Sequence, residues 1–337
     1  MNNSSNDTPE FSIVIPCYNC DKYLSKNIGA ILSSNLNQFS IEILAIDDNS
    51  SDNTINVLQE LQKKDSRLKV FENNISLGPN FSRNIGIKNS RGNYIIFLDS
   101  DDEFRNESLC DVFLNVLKHK SDIAVFGINF LSEKQISSKR FVYQSKELSG
   151  VDALNIYLNG GMTTVCWNKI YSRDFLYKNE LQFIEDRIHG RDAIFTLICL
   201  IKSKKVHLSE IILVNSLIRP DSFSRTYSLS NVKSALVIIE EVEKICDYNS
   251  ISSKEYSLFI IKYIRYSIVV SIFRLGKYSD FKDAVLIIKR NPLVKKALRN
   301  KLVNFNKASM MLRVILRHPF VFHLLGKLFK KFNLHPY

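Results

Sequence analysis

The chain is short of glycine at the one place where many nucleotide-binding folds need it. After the first strand-like run the sequence reads PCYNCDKYL, so the backbone has no glycine turn in which to approach a pyrophosphate, and a dinucleotide-binding fingerprint is excluded. A phosphate-binding P-loop is absent as well. Uninterrupted apolar stretches are equally scarce. The most apolar windows are broken by Lys262 and Arg265, or by Arg313, Arg317, His318 and Pro319, which argues against a membrane span. The opening residues MNNSSNDTPE have no basic stretch followed by an apolar one, so no secretory signal is read and a cytoplasmic location is expected. Six cysteines, at 17, 20, 110, 166, 199 and 246, show no framework spacing. Cys17 and Cys20 have no second CxxC to complete a zinc site, and they are expected to be free thiols.

Acidic residues are missing from one region only. Residues 284–337 contain twelve Lys or Arg and no Asp or Glu, so they hold the whole net charge of +12. The basic residues alternate with apolar runs such as MMLRVIL and FVFHLLGKLF, a mixture that suits anionic lipid better than nucleic acid, and no nucleic-acid partner is expected. From Phe320, the residues Phe320, Val321, Leu324, Leu325, Leu328 and Phe329 recur at helical spacing, with His323, Lys327 and Lys330 on the other side. That pattern fits an interfacial helix on an anionic membrane surface. It fits equally a helix packed on the protein core with a solvated basic face.

What the chain does contain is a 45% hydrophobic composition over 337 residues, enough for a substantial core, and an alternating first half. FSIVIP (11–16), IEILAI (41–46), LKVFE (68–72) and YIIFL (94–98) read as strands. Helices are expected over about 22–33, after the Ser51-Asp52-Asn53-Thr54 turn, and from Gly78-Pro79 to Gly92. This order implies an α/β fold with a mostly parallel sheet flanked by helices and right-handed crossovers. In such sheets ligands bind at the carboxyl ends of the strands. Polar clusters stand at those ends: Cys17-Tyr18-Asn19, Asp47-Asp48-Asn49-Ser50, and Asp99-Ser100-Asp101-Asp102. Three carboxylates in four positions repel one another unless a cation or donors compensate. A divalent ion that mediates contact with a diphosphate is the reading we adopt for them.

SIVIPCYN, EILAIDDNSSDNT, GPNFSRNIG and YIIFLDSDD, in that order and spacing, resemble the inverting family 2 glycosyltransferases of GT-A fold over roughly residues 10–225. The resemblance implies a nucleotide-sugar donor, with a UDP-sugar expected, and Mn2+ or Mg2+ as cofactor. By it, Tyr18 packs on the base and Asp48 accepts a ring N–H. Asp99 and Asp101 form the family's DxD pair, Asp101 ligating the metal directly. Pro16, Arg83, Asn84 and Ser100 complete the donor contacts that it implies, although Arg83 and Asn84 serve equally to tie their helix to the sheet. Gly86 is read as a close-packing position.

The family also supplies a carboxylate base to deprotonate the acceptor. Trp167-Asn168-Lys169-Ile170-Tyr171 and HGRDAIF (189–195) resemble its motifs and nominate Asp192. Arg191 stands where the family has Glu, which could draw the base's pKa down. Glu185-Asp186 is a literal Glu-Asp pair and competes for the role. His189, Trp167, Arg219 and Ser222 are candidates to face the acceptor or diphosphate. The expected organisation is a catalytic domain over 10–228, with a nucleotide-binding half at 10–105 and an acceptor half at 106–228, then a helical extension over 229–337. The expected function is sugar transfer with inversion to a lipid-linked saccharide in surface-polysaccharide assembly, peripherally on the inner face of the cell membrane. Two alternatives remain: a dehalogenase-type phosphatase using the DxD motif, and a catalytically silent glycosyltransferase-like subunit.

Overall fold

The computed structural model describes residues 8–34, 36–131, 137–186, 188–217, 229–274, 278–300, 307–321 and 323–324. In chain order, the elements are β1 (Phe11–Cys17), α1 (Asp21–Ser33), β2 (Ile41–Asp47), α2 (Thr54–Lys64), β3 (Leu68–Glu72), α3 (Pro79–Asn89), β4 (Tyr94–Phe97) and β5 (Glu103–Phe104). They continue with α4 (Asn106–His119), β6 (Ile123–Leu131), β7 (Ser137–Phe141), β8 (Lys146–Ser149), α5 (Gly150–Leu158), β9 (Lys169–Ser172), α6 (Arg173–Lys178), α7 (Arg191–Lys202) and β10 (Lys205–Leu217). Beyond residue 228 the described residues include α8 (Leu229–Tyr248), α9 (Ser253–Arg274), α10 (Tyr278–Arg290), α11 (Pro292–Arg299) and α12 (Lys307–Arg317).

Two compact units result. The first comprises residues 1–153, 165–187 and 198–218; the second comprises 154–164, 188–197 and 219–337. The strands lie in the first unit as one sheet, in the order β3-β2-β1-β4-β9-β6-β10-β5. β1 to β4 are parallel, as the alternating first half requires. The insertion of β9, antiparallel to both β4 and β6, makes the sheet mixed beyond that point. With four residues, β9 is too short to give a periodic signal that would have placed it there.

Every residue of β1 and β2 is buried, which is why both read as continuous apolar runs. Phe11 anchors the start of β1. Its ring is fully buried, stacks on Phe113 of α4 at 3.9 Å and meets Phe39 edge-on at 6.0 Å. Burying a side chain of that size contributes about 3 kcal/mol. Helix α3 lies close against β1 because Gly86 is small: a Cβ there would sit 2.1 Å from Val14 Cγ1. The helix stops at Asn89, earlier than Gly92, and Gly92 instead lies where a Cβ would be 2.6 Å from the Ser12 amide nitrogen. Beside it, Glu42 is only 2% exposed. Burial works against its charge, yet Lys69, Ser12 and the Arg91 amide hold its pKa below the usual carboxylate range.

The second unit is built on helices. Tyr157 is buried, stacks on Phe259 and donates to the Ala193 carbonyl at 2.8 Å. The basic end of the chain joins this unit. Leu312, Ile315 and Leu316 of α12 are buried, Arg313 donates to the Leu298 carbonyl, and Lys296 pairs with Glu243 at 2.7 Å. One part of the expected tail pattern is reversed. His323, assigned to the polar side, is 2% exposed and packs against Tyr278 and Phe281, whereas Phe320, Val321 and Leu324 face solvent. Aromatic partners on α10 give the imidazole a place that helical spacing alone could not show. Leu325, Lys327, Leu328, Phe329 and Lys330 lie outside the described residues.

Candidate active site

The first unit brings together the loops after β1, β2 and β4, and short polar side chains hold them. The Asn19 amide donates to Ser50 Oγ at 2.9 Å, and Asn19 Oδ1 accepts from the Ser51 amide at 2.8 Å. Cys20 N–H donates to Thr54 Oγ1 at 2.8 Å. Asn19 and Asn49 have φ of 47° and 60°, left-handed conformations that asparagine tolerates better than most residues. From α1, Asn27 Nδ2 donates to the carbonyls of Ser100 and Asp102 at 2.9 and 3.0 Å, fixing the DxD turn. Asn27 was not among the sequence candidates. It shares the buried face of α1 with Leu24, Ile28 and Ile31, and a polar residue in that helical stripe was the available signal.

Each donor-side candidate has a defined place. Pro16 is buried in β1, in register with Ile46. Tyr18 is 55% exposed at the mouth of the β1 loop, free to lie against a planar ring. Asp48 is 3% exposed and carries four hydrogen bonds. Its Oδ1 accepts from Asn73 Nδ2 at 2.8 Å and Leu77 N at 3.0 Å; its Oδ2 accepts from Ser76 Oγ at 2.9 Å and Gly78 N at 2.7 Å. A carboxylate has about four acceptor sites. Asp48 therefore clasps the 73–78 loop onto β2, and accepting a further N–H from a base requires one of these donors to give way.

Arg83, 4% exposed, donates to Asp99 Oδ1 at 2.6 Å and to Asn80 Oδ1 at 2.9 Å, with its guanidinium 5.4 Å from the centre of the Phe183 ring. It supplies the positive charge that three neighbouring carboxylates call for, and it lines the DxD turn as well as tying α3 to it. Asn84 faces another way. Its Nδ2 donates to the Phe183 carbonyl and to Glu185 Oε1, both at 2.9 Å, and its Oδ1 accepts from Phe183 N at 2.8 Å. Asp99, Ser100 and Asp101 are half-buried and Asp102 is buried. Asp99 and Asp101 fit a divalent ion of the Mg2+ or Mn2+ kind, which takes one or two carboxylates and completes its shell from phosphate oxygens and water.

The base candidates are held differently. Asp192 is half-buried in the first turn of α7, in the second unit. Arg191 beside it is 4% exposed and pairs with Glu241 of α8. That pairing meets the charge of Arg191. His189 precedes them; burial lowers its pKa while Asp192 raises it, and the net shift is downward. Glu185 and Asp186 belong to the first unit, with Glu185 exposed. Trp167, Asn168 and Lys169 are buried. Lys169 Nζ donates to the Val165 carbonyl at 2.6 Å and Asn168 Oδ1 at 2.9 Å, an internal strut that draws Val165 to β9. Arg219 and Ser222 lie outside the described residues. All six cysteines are free thiols.

Residues 12–178 match the profile of glycosyl transferase family 2. They form a family 2 glycosyltransferase domain. The chain is 25% identical over 198 residues to the poly(ribitol-phosphate) beta-N-acetylglucosaminyltransferase TarS of Staphylococcus aureus (strain MW2), covering 58% of this chain and 33% of that protein. It is 34% identical over 183 residues to the GalNAc(5)-diNAcBac-PP-undecaprenol beta-1,3-glucosyltransferase of Campylobacter jejuni, covering 51% and 57% of the two. The chain spans about a third of the length of TarS and of the poly(ribitol-phosphate) beta-glucosyltransferase of Bacillus spizizenii, which it also matches. The crystal structure of S. aureus TarS 1–349 in complex with UDP-GlcNAc superposes with a TM-score of 0.65 at 20% identity, covering 94% of this chain and 89% of that one. The family 2 domain carries the GT-A fold. Its Asp pair follows the fourth strand of such a domain, and the phosphatase alternative is set aside.

Proposed function

We propose that the chain is a metal-assisted inverting glycosyltransferase that moves a sugar from a UDP-sugar to a lipid-linked saccharide during assembly of a cell-surface polysaccharide. The observation that carries this reading is the convergence of three strand-end loops in a family 2 domain, with exposed Tyr18 and the Asp99-Ser100-Asp101 turn held by Asn27 and Arg83. A named relative that acts on a lipid-linked glycan, the Campylobacter enzyme, supports the acceptor class. Tyr18 packs against the base, Asp99 and Asp101 hold Mn2+ or Mg2+, and Arg83 keeps Asp99 oriented. When bound, such an ion would supply positive charge to offset that of the departing diphosphate. Asp192 removes the proton from the attacking hydroxyl.

The same reading places the chain on an anionic membrane surface. No helix among the described residues is long and apolar enough to cross a membrane. Instead Met310, Met311, Val314, Phe320, Val321 and Leu324 stand exposed near Arg317 in a region without acidic residues. Each basic residue at an anionic leaflet contributes about 1 kcal/mol, and exposed apolar side chains add to that.

A screen of nucleotide sugars with Mn2+ or Mg2+, reading thermal stabilisation and nucleotide release, tests the chemistry. Asp101→Asn is expected to lower transfer by orders of magnitude. Full transfer by that variant in the presence of chelator would refute the metal assignment. Flotation on anionic vesicles tests the surface: the full chain should float, and Phe320→Ser with Leu324→Ser should float less. A chain that stays off the vesicles refutes the membrane placement.

A further inference from the structure

The first unit holds a second group of side chains of metal-ligating type, none of which belongs to the DxD turn. His119 ends α4, Glu147 lies in β8 and His207 is the third residue of β10. His207 and Glu147 face each other across the antiparallel pairing of β10 with β8. One ligand atom from each of the three residues lies within 4.8 Å of the others, and no other such trio of His, Cys, Asp or Glu occurs among the described residues. His207 is 1% exposed, and neither of its ring nitrogens has a hydrogen-bond partner. An unsatisfied buried polar group costs about 1–3 kcal/mol, so a ligand that uses its lone pair has something to gain.

Two nitrogen groups converge on Glu147. His119 Nδ1 lies 2.9 Å from its Oε1, and Lys205 Nζ lies 3.0 Å from the same atom while donating to the His119 carbonyl at 2.6 Å. The two imidazoles stack with centroids 3.7 Å apart and planes 9° from parallel. We propose that His119, Glu147 and His207 form a transition-metal site of zinc type that clamps the end of α4 and strand β8 to β10. Two imidazoles and a carboxylate with an open fourth position make a zinc-like ligand set, whereas Mg2+ and Mn2+ favour oxygen ligands. An ion must lie near the plane of each ring that binds it, so loading turns one imidazole out of the stack. Half-buried His119, at a helix end, is the ring with room to turn, and exposed Lys205 yields its place on Glu147.

The site lies at the amino-terminal end of β10. That strand runs parallel to β6, β6 and β4 are each antiparallel to β9, and the DxD turn follows the carboxyl end of β4. Through Ala124 and Ile170, His207 is in register with Ile96 of β4, with β9 and β6 between the two strands, so the two sites are separated across the sheet, and the proposed clamp shares no residue with the DxD turn.

The test uses the full chain stripped of metal and titrated with Co2+, then Zn2+. One equivalent of tightly bound Co2+ is expected, beside any weaker uptake at the DxD carboxylates, giving the visible bands of a four- or five-coordinate ion without the near-ultraviolet charge-transfer band of thiolate ligands. Zn2+ should displace it and raise Tm. His207→Ala and His119→Ala should each weaken Co2+ binding by on the order of 100-fold. Asp101→Asn should leave it unchanged. Should His207→Ala fail to fold, His119→Ala, at a half-buried helix end, decides the matter. No stoichiometric Co2+ binding, binding unchanged in the histidine variants, a thiolate band, or loss of binding in Asp101→Asn would each overturn the proposal.

Discussion

The donor-side loops and the first turn of α7 both carry charge away from water, but they secure it with different parts. Around Asp48 the partners are two main-chain amides and two short side chains, all from residues 73–78. At α7, Arg191 meets Glu241, a long side chain on another helix 50 residues further along the chain. Main-chain donors have few rotamers to lose and cannot be exchanged by mutation, whereas a side-chain pair can be rebuilt in one step. The loop clasped by Asp48 is thus fixed by the fold, and the first turn of α7, which holds the proposed base, is open to adjustment. Arg191, with Glu241 to meet it, is one such side-chain pair.

The largest effect should come from the adjustable side. Asp192→Asn is expected to lower kcat by about 10² to 10⁴ while the donor Kd stays nearly constant. If Glu185→Gln collapses turnover and Asp192→Asn does not, the base belongs to the first unit and the contrast breaks down. A second experiment compares the two anchors directly by chemical denaturation. Asp48→Asn replaces an acceptor with an NH2 group facing N–H donors and should cost about 3 kcal/mol, whereas Glu241→Gln keeps a hydrogen-bonding side chain and should cost about 1.5 kcal/mol. Equal losses would mean that main-chain anchoring confers no special rigidity. The smallest effect concerns pH. Burial, then the neighbouring His119, lowers the His207 pKa to about 4. A histidine ordinarily titrates at about 6.5, so the unfolded chain binds the proton more readily and stability should fall as pH drops from about 6.5 towards 4. In chelator, the Tm of a His207→Leu variant should show a shallower decline across that window, and an unchanged slope would count against the shift.

The sequence was most legible where chemistry is local. Strands β1 to β4 announced themselves as buried apolar runs, and the polar residues following them belong to loops whose spacing is set by the sheet. Gly86 is legible for a similar reason, since it stands in a helix that must lie close to β1. Less visible were relations between distant residues. His119, Glu147 and His207 come from three separate elements, and nothing in the neighbourhood of any one names the other two. Glu241 likewise gives no local sign that it answers Arg191. Asp48 was recognisable as a site residue, but its four partners depend on how the 73–78 loop folds back. The tail shows the limit of periodicity. Helical spacing separated His323 from Phe320, Val321 and Leu324, but which side faces the protein depends on the aromatic residues of α10.

The clasp on Asp48 has a consequence for how the loop behaves in time. Residues 73–78 have no regular secondary structure, and segments of that kind usually trade their amide protons with solvent quickly. Here the Leu77 and Gly78 amides end on a carboxylate that water barely reaches. In deuterium oxide those two protons should be retained alongside those of the neighbouring strands, released when β2 opens rather than when a loop frays. A ligand entering the crevice would then meet a wall already set, and selection among bases would proceed by fit to a fixed shape instead of by closure around the guest.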